Sequence, residues 1–233
     1  MKFKQKDYLV GLLTYVIYRS QFIRKTLEDF GEAASFNSYL RHRVGTLKIF
    51  ISREKLYKAV LSKTLKEEEL LVLEFGVAAG DGTKWWSENV KNSKMKYIGF
   101  DSFDGLPETW YRRGVVYREK GFFAQESAPF FISDERISFC VGLVENNANK
   151  IKDYSRTNCN KIYLFDMDLY GPTKFVWDLI RPNLIPGDLV YFDEGFDSDG
   201  ERLVIENGIF LEFEKWNYIG NSSIAVAFQF KGE

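Results

Sequence analysis

Residues 70–83 read LLVLEFGVAAGDGT, an apolar run with one acidic residue, Glu74, that leads directly into a glycine-rich segment. A short apolar run that ends at glycine predicts a buried strand of a parallel sheet. Glycines in this position allow a tight turn and a close approach of a ligand to the backbone. Because a carboxylate at the end of a buried strand needs a partner, Glu74 predicts a cation or a positively charged ligand at this turn.

Outward from this stretch, short apolar runs alternate with helical segments. The pattern predicts seven strands, over residues 70–75, 95–100, 137–141, 162–165, 189–192, 216–219 and 224–230, and helices over residues 83–90, 173–180 and 201–211. This alternation predicts an α/β fold with a mostly parallel sheet and helices on both of its faces. Since ligands of such sheets bind beyond the carboxyl ends of the strands, we expect the functional residues just after each strand.

The first part of the chain has apolar residues at helical spacing, which predicts helices over residues 1–30 and 36–62. Gly31 is the predicted end of the first helix. We expect residues 1–65 to form an N-terminal helical cap and residues 66–233 to form the ligand-binding domain. Residues 107–134 form a long aromatic-rich segment, which predicts a lid over the substrate or a surface subdomain packed on its own rings.

Composition and charge exclude several classes of protein. The chain has 233 residues, 45% hydrophobic and 28% charged, which is typical of a globular domain. Residues 1–66 contain 14 Lys or Arg and 5 Asp or Glu, whereas the remainder contains 18 and 28. The basic segment predicts solvated helix faces, with contact to an anionic substrate through Lys2, Lys4, Lys6, Arg41 and Arg43 as an open alternative. The acidic remainder argues against a nucleic-acid partner.

The cysteines and the single histidine limit the chemistry further. Cys140 and Cys159 form no CxxC pair and no disulfide framework, which predicts a reducing, cytoplasmic location. With His42 alone, a histidine-rich zinc site is excluded, and a Ser-His-Asp mechanism would need His42 as its base. The apolar run over residues 8–18 is too short to span a bilayer and predicts a helix docked on the body, with contact to a membrane surface left open.

Acidic residues follow several of the predicted strands. Asp101 comes at the end of the second strand, where a carboxylate accepts hydrogen bonds from ribose hydroxyls. Together with Glu74 it predicts a nucleoside with a cationic tail, a description that S-adenosylmethionine fits. Asp166, Asp168 and the pair at residues 193–194 would converge with no Lys or Arg nearby in sequence, which predicts Mg²⁺ or another divalent cation and a spare carboxylate as general base.

Four segments resemble class I S-adenosylmethionine-dependent methyltransferases, and more narrowly the macrocin O-methyltransferase family, which methylates sugar hydroxyls: EFGV at 74–77, DSFDGLP at 101–107, FDMDLY at 165–170 and PGDLVYFDE at 186–194. The resemblance implies a Rossmann-like methyltransferase fold and Mg²⁺-assisted O-methylation of a sugar or a glycosylated natural product. It implies cofactor binding by Glu74, Gly76, Ala78, Gly80, Thr83, Asp101, Ser102, Gly142 and Leu143, metal binding by Asp166, Asp193 and Glu194, and Asp168 as the base. The chain departs from the family at Glu194, where the family usually has aspartate, and at Ala78-Ala79, where many methyltransferases have another glycine.

Other interpretations stay open from the sequence alone. A catechol-type O-methyltransferase would share the metal and the base, and a non-catalytic nucleotide-binding module would share the fold. A short-chain dehydrogenase would use Tyr170 and Lys174, but Pro172 lies between them and argues against the helical turn that this pair needs. The acceptor is expected to be a small molecule or a glycan. A homodimer is left open, because in the family that this chain resembles the region corresponding to the first 60 residues tends to form dimer contacts or cover the site.

Overall fold

A computed structural model describes residues 9–12, 15, 21–64, 68–129, 132–222 and 224–232. The helices are α1 (Gln21–Val44), α2 (Arg53–Leu61), α3 (Asp81–Asn89), α4 (Ala148–Ser155), α5 (Tyr170–Ile180) and α6 (Glu201–Val204), which continues as a π turn (Ile205–Ile209) and a 3-10 turn (Phe210–Lys215). The strands are β1 (Ile49–Phe50), β2 (Leu70–Phe75), β3 (Met95–Asp101), β4 (Trp110–Arg112), β5 (Val115–Arg118), β6 (Ile137–Val141), β7 (Asn160–Phe165), β8 (Leu189–Phe192), β9 (Trp216–Ser222) and β10 (Ala225–Phe230).

The main sheet has the strand order β1-β9-β10-β8-β7-β2-β3-β6. Strands β8, β7, β2, β3 and β6 pair in parallel, and β10 is antiparallel to both of its neighbours. The expected α/β class, the mostly parallel sheet and all seven expected strands are therefore confirmed. The eighth strand, β1, was not expected; it pairs with β9 at the edge of the sheet.

Strand β2 has apolar side chains on both faces, because successive residues of a strand point in opposite directions. Leu71, Leu73 and Phe75 lie in the core cluster that includes buried residues of α1 and α5. Leu70 and Val72 lie in the second cluster, against α2 and α3. Helices therefore cover both faces of the sheet, and the buried run over residues 70–75 has the physical cause that the pattern suggested.

The N-terminal helices differ from the prediction. Helix α1 continues through Gly31, where an added Cβ would meet nothing within 4 Å. A glycine inside a helix costs only about 1 kcal/mol, and the buried Phe36 and Leu40 anchor the following turns in the core. The helix expected over residues 36–62 is instead interrupted by Gly45, with a φ of 74°, by β1, and by a new start at Ser52, whose Oγ accepts a hydrogen bond from Lys55 N.

The apolar face predicted for the first helix is described only in part. Leu9 and Leu12, from the predicted apolar face, are exposed, while Leu13, Val16 and Ile17 lie outside the described residues. Within the described part of the chain, no helix is both long enough and apolar enough to cross a membrane.

The expected insertion contains a small antiparallel hairpin, β4–β5. Trp110, at its start, is buried in a cluster with Leu106 and Leu169, which follows β7. The hairpin therefore packs on the loop at the carboxyl end of the central strands. Phe130 and Phe131 lie outside the described residues.

A fully buried ion pair joins two central strands at their amino ends. Lys161, near the start of β7, lies with its Nζ 3.5 Å from Oδ2 of Asp188, which precedes β8. The same ammonium donates to the carbonyl oxygens of Thr157 and Cys159, and Oδ1 of Asp188 accepts from the backbone N of Lys161. Each buried charge is thus paired and hydrogen-bonded, as burial of a charge requires.

We expect Lys161→Met to lower the free energy of unfolding by about 3–5 kcal/mol, because it leaves the Asp188 carboxyl buried without its counter-ion. The double variant Lys161→Met/Asp188→Asn should recover part of this loss, because no buried charge remains. Urea unfolding of both variants at neutral pH measures the difference. If the single variant is as stable as the unmodified protein, the pair is not a structural element.

Candidate active site

A cavity of about 370 Å³ lies at the carboxyl ends of the parallel strands. It lies where the strand order reverses, between β2, which leads on to β3 and β6, and β7, which leads on to β8. Open α/β sheets bind ligands at this switch point. The expected residues that line the cavity are Gly76, Ala78, Asp101, Ser102, Gly142, Leu143, Asp166, Asp168, Asp193 and Glu194.

The turn after β2 needs glycine at its first position. Gly76 has a φ of 89°, and a Cβ added to it would lie 1.8 Å from the carbonyl oxygen of Asp166. Its backbone N donates to Phe100 O at 2.9 Å, while the N of Asp166 donates to Phe75 O at 2.8 Å. The ends of β2, β3 and β7 are therefore held in contact, and the carboxylates that follow β7 lie beside the glycine turn.

Asp101 organises the same turn. Its Oδ2 accepts hydrogen bonds from the backbone N of Val77 and of Ala78, at 2.7 and 2.8 Å. Its Oδ1 accepts from the N of Phe103 at 2.7 Å. A carboxylate can accept about four hydrogen bonds, so Oδ1 keeps capacity for one ligand hydroxyl.

Glu74 lies on the face of β2 that packs against α2 and α3. It is buried, and its Oε2 accepts a short hydrogen bond from the Thr83 hydroxyl. Burial raises the pKa of Glu74 to about 8, although the nearby hydroxyls of Thr83 and Tyr97 oppose the shift. Among the described residues, Glu74, Gly80 and Thr83 are the expected cofactor residues that do not line the cavity. The expected cationic partner of Glu74 stays a prediction.

Three aspartates converge at the cavity from the ends of β7 and β8. Burial raises the pKa of Asp166, of Asp168 and of Asp193, and mutual repulsion raises the first two further. For Asp168 the pKa rises to about 7. Asp168 has a φ of 64°, a left-handed conformation that aspartate and asparagine tolerate better than most residues. The predicted convergence of these carboxylates is therefore present in the fold.

Two arginines that are distant in sequence bind these carboxylates. Arg53 Nη2, at the start of α2, lies 2.6 Å from Asp193 Oδ2. Arg112 Nη2, in the β4–β5 hairpin, lies 2.5 Å from Glu194 Oε2, and its Nε lies 3.2 Å from Asp197. Sequence reasoning missed both, because it searched for positive charge only near the acidic motifs. Two signals in the sequence could have pointed to them: a basic residue at the capped start of α2, and the Arg112-Arg113 pair in the aromatic insertion.

Glu201 is a third residue that the sequence did not indicate. It is fully buried at the start of α6. Its Oε1 accepts from the backbone N of Met167 at 3.2 Å, and its Oε2 accepts from that of Glu194 at 3.0 Å. One side chain therefore holds the loop after β7 and the loop after β8 at a fixed separation.

The expected magnesium ion can be tested against these contacts. Mg²⁺ requires a near-octahedral shell of oxygen ligands at about 2.0–2.1 Å. Of its three expected ligands, Asp193 is bound by Arg53 and by the Tyr191 hydroxyl, and Glu194 is bound by Arg112. Across the residues that the structure describes, no group of three or more His, Cys, Asp or Glu side chains is arranged to hold a metal ion. As these side chains stand, they do not fit Mg²⁺, and the ligand assignments stay predictions.

The basic residues that were expected to contact an anionic substrate do not line the cavity where they are described. Arg43 donates to the carbonyl oxygen of Phe210 and to the Tyr39 hydroxyl, and neither Arg43 nor Arg41 lines the cavity. Lys2, Lys4 and Lys6 lie outside the described residues.

The pair that a short-chain dehydrogenase would use lies in one helix. Tyr170 and Lys174 are four residues apart in α5, so the argument from Pro172 was wrong. Lys174 instead pairs with Asp178 at 2.5 Å, at the surface, away from the cavity lining.

We expect Gly76→Ala to abolish ligand binding at the cavity and to lower the melting temperature strongly, since its Cβ would overlap the Asp166 carbonyl. Gly171→Ala is the matched control, because a Cβ there meets nothing within 4 Å. In a helix this control should stabilise the protein by about 0.5–1 kcal/mol. Thermal unfolding and calorimetric titration compare the two; equal behaviour would contradict the close approach.

Glu74→Gln should change how stability depends on pH. The raised pKa means that folded Glu74 keeps its proton up to about pH 8, whereas the unfolded chain releases it near its ordinary pKa of 4.5. Stability therefore falls as pH rises between these values, and the glutamine variant lacks this loss. We expect a gain on the order of 3 kcal/mol for the variant, relative to the unmodified protein, between pH 5 and pH 8. Urea unfolding at both pH values measures it, and parallel curves would contradict the raised pKa.

No protein-family model matches the chain, and no curated protein matches it significantly in sequence. Solved structures are similar to it. The crystal structure of CalS11, calicheamicin methyltransferase, is 20% identical with a TM-score of 0.57, over 97% of this chain and 92% of that chain. An apo structure of CalS11, TDP-rhamnose 3'-O-methyltransferase, is 24% identical with a TM-score of 0.50, over 76% of each chain. The O-methyltransferase NovP is 17% identical with a TM-score of 0.55, over 77% of this chain and 79% of that chain. The chain therefore has the Rossmann-like fold of these O-methyltransferases.

Proposed function

We propose that this protein transfers the methyl group of S-adenosylmethionine to a hydroxyl group of a small-molecule acceptor. The observation that carries the proposal is that Asp101 and Asp168 line one cavity at the switch point of the sheet. In this proposal Asp101 binds the nucleoside and Asp168 accepts the proton. The fold shared with CalS11 and NovP supports the same reaction class.

The cofactor end of the cavity is formed by the loops after β2, β3 and β6. Asp101 Oδ1 has the capacity to accept a ribose hydroxyl, and Ser102 lies beside it. Gly142 and Leu143 border the adenine in this proposal, and both line the cavity. The sulfonium of S-adenosylmethionine is positive, which suits a cavity whose wall contains several buried carboxylates.

The reaction end is formed by the loop after β7. Asp168 lies in the cavity wall, 7% exposed. The acceptor oxygen forms a bond to the methyl carbon while the carbon–sulfur bond breaks, the electron pair stays on sulfur, and Asp168 takes the hydroxyl proton. Holding both reactants in line supplies much of the rate enhancement.

We propose a sugar or a glycosylated natural product as the acceptor. CalS11 is described as a TDP-rhamnose 3'-O-methyltransferase, which supports a sugar hydroxyl. Trp110, Tyr117 and Phe123 of the insertion also line the cavity and supply flat apolar surface for a ring-shaped ligand. In this proposal residues 107–134 act as the lid and residues 1–65 as the cap. Both cysteines are free thiols, which supports a reducing compartment such as the cytoplasm.

The magnesium ion implied by the resemblance has no step in this mechanism, because the side chains in their present contacts do not fit it. The catechol-type alternative differs from the proposal only in its acceptor. A non-catalytic module of the same fold would bind S-adenosylmethionine without turnover. Both alternatives are outcomes of the experiment that follows.

We expect Asp168→Asn to lower kcat by about 10²- to 10⁴-fold, because asparagine cannot accept the proton. Asparagine also tolerates the left-handed backbone at this position, so the variant should fold and bind S-adenosylmethionine as before. Formation of S-adenosylhomocysteine with a panel of nucleotide sugars, glycosylated natural products and catechols measures turnover, and calorimetry measures cofactor binding.

Asp104→Asn is the control for this experiment, because Asp104 is an exposed aspartate that does not line the cavity. Full turnover by Asp168→Asn would eliminate Asp168 as the base. Calorimetric binding of NADH in place of S-adenosylmethionine would overturn the proposed cofactor.

A further inference from the structure

We propose that the Arg53 guanidinium takes the position of the divalent cation in this site and keeps the carboxylate cluster free of metal. The part of this inference that concerns methyl transfer rests on the proposed function. The part that concerns metal exclusion depends only on the contacts of Arg53, and it is tested separately.

Each oxygen of the Asp193 carboxylate already has a partner. Arg53 Nη2 lies 2.6 Å from Oδ2, and the hydroxyl of Tyr191 donates to Oδ1 at 2.7 Å. Asp193 itself is 1% exposed. A metal ion that approaches this carboxylate therefore meets a guanidinium that already supplies the opposite charge.

Arg53 also lies at the same wall as the neighbouring aspartate. Arg53 and Asp166 both line the cavity, and Asp166 follows β7, the parallel neighbour of β8. The guanidinium that binds Asp193 therefore places a positive charge at the part of the cavity wall where the motif assigned a metal.

The third expected ligand is also occupied by arginine. Arg112 binds Glu194 at 2.5 Å, Asp197 at 3.2 Å and Asp29 at 3.0 Å. Its guanidinium lies 3.9 Å from the centre of the Tyr117 ring, which restricts its movement further. Glu194 therefore also has a positively charged partner in place.

A fixed guanidinium suits the charge changes of the proposed reaction. Methyl transfer converts the positive sulfonium into a neutral thioether, while the proton of the acceptor hydroxyl moves to Asp168. The cavity loses the positive charge of the sulfonium and the negative charge of Asp168 together, so its net charge does not change. Arg53 stays in place throughout, so Asp193 keeps its counter-ion when the product S-adenosylhomocysteine is bound.

The position of Arg53 comes from local sequence. Ser52 begins α2 as its N-cap, and Arg53 is the first helical residue. Leu56, Tyr57 and Val60 bury the other face of this helix against the sheet. The guanidinium is therefore delivered to the carboxyl end of β8 by a helix that is firmly packed, although the arginine side chain itself is partly exposed.

The test uses the full-length protein and Mn²⁺, a paramagnetic cation that prefers the same oxygen ligands as Mg²⁺. Electron paramagnetic resonance titration measures bound Mn²⁺ in the unmodified protein, in Arg53→Gln, in Arg53→Lys and in the control Lys58→Gln. Lys58 is an exposed residue of the same helix that does not line the cavity. Thermal unfolding checks that each variant folds.

We expect no specific Mn²⁺ binding by the unmodified protein or by Lys58→Gln at millimolar metal. Arg53→Gln should bind one Mn²⁺ at least about tenfold more tightly, because it leaves Asp193 buried without the guanidinium that pairs with it. Arg53→Lys retains a positive charge and should stay close to the unmodified protein. Methyl transfer by the unmodified protein should be the same in EDTA and in added Mg²⁺.

Two results would overturn the inference. One is stoichiometric Mn²⁺ binding by the unmodified protein, or a loss of its turnover in EDTA that Mg²⁺ restores. The other is a folded Arg53→Gln variant that still binds no Mn²⁺, since Arg53 would then not be what excludes the metal. If no acceptor is methylated, the proposed function fails, but the Mn²⁺ titration still decides the inference about Arg53.

Discussion

Negative charge that is buried where two neighbouring parallel strands end is the constraint on which this structure depends. Asp166, Asp168 and Asp193 lie so close together that burial and mutual repulsion raise the pKa values of the first two, while burial does so for the third. Such a cluster is stable only if positive charge or protons compensate it. The surrounding structure supplies that charge from two directions, through Arg53 from the first part of the chain and through Arg112 from the insertion.

This charge balance also explains how separate segments come together. Arg112 joins α1, through Asp29, to the loop after β8, through Glu194 and Asp197. Trp110 of the same hairpin donates to Asp197 at 2.8 Å. The insertion is thus fastened at the edge of the cavity by buried polar contacts as well as by apolar packing. A substrate that enters the cavity must therefore pass a β4–β5 hairpin that is anchored on its inner side.

The residues of the candidate site were predictable where they depend on position along a strand. Asp101, Asp166, Asp168 and Asp193 each follow a strand, and parallel strands place their carboxyl ends at one edge of the sheet. The roles of Arg53, Arg112 and Glu201 were not predictable in this way, because each acts on a loop far away in sequence. Glu74 was expected to contact the ligand because it lies near the end of a strand. Strand alternation instead turns its side chain toward α2 and α3 and away from the cavity.

The sequence by itself determined seven of the eight strands of the main sheet, their mostly parallel arrangement and the ends of the strands at which the acidic residues gather, because apolar periodicity and glycine placement act locally. It did not determine where α1 ends, because the destabilisation from Gly31 inside the helix is smaller than the stabilisation from burying Phe36 and Leu40 in the following turns. Nor did it determine what neutralises the carboxylates. Only the tertiary structure decided that an arginine from α2 and another from the β4–β5 hairpin lie beside them, since electrostatic attraction acts through space and carries no local sequence pattern.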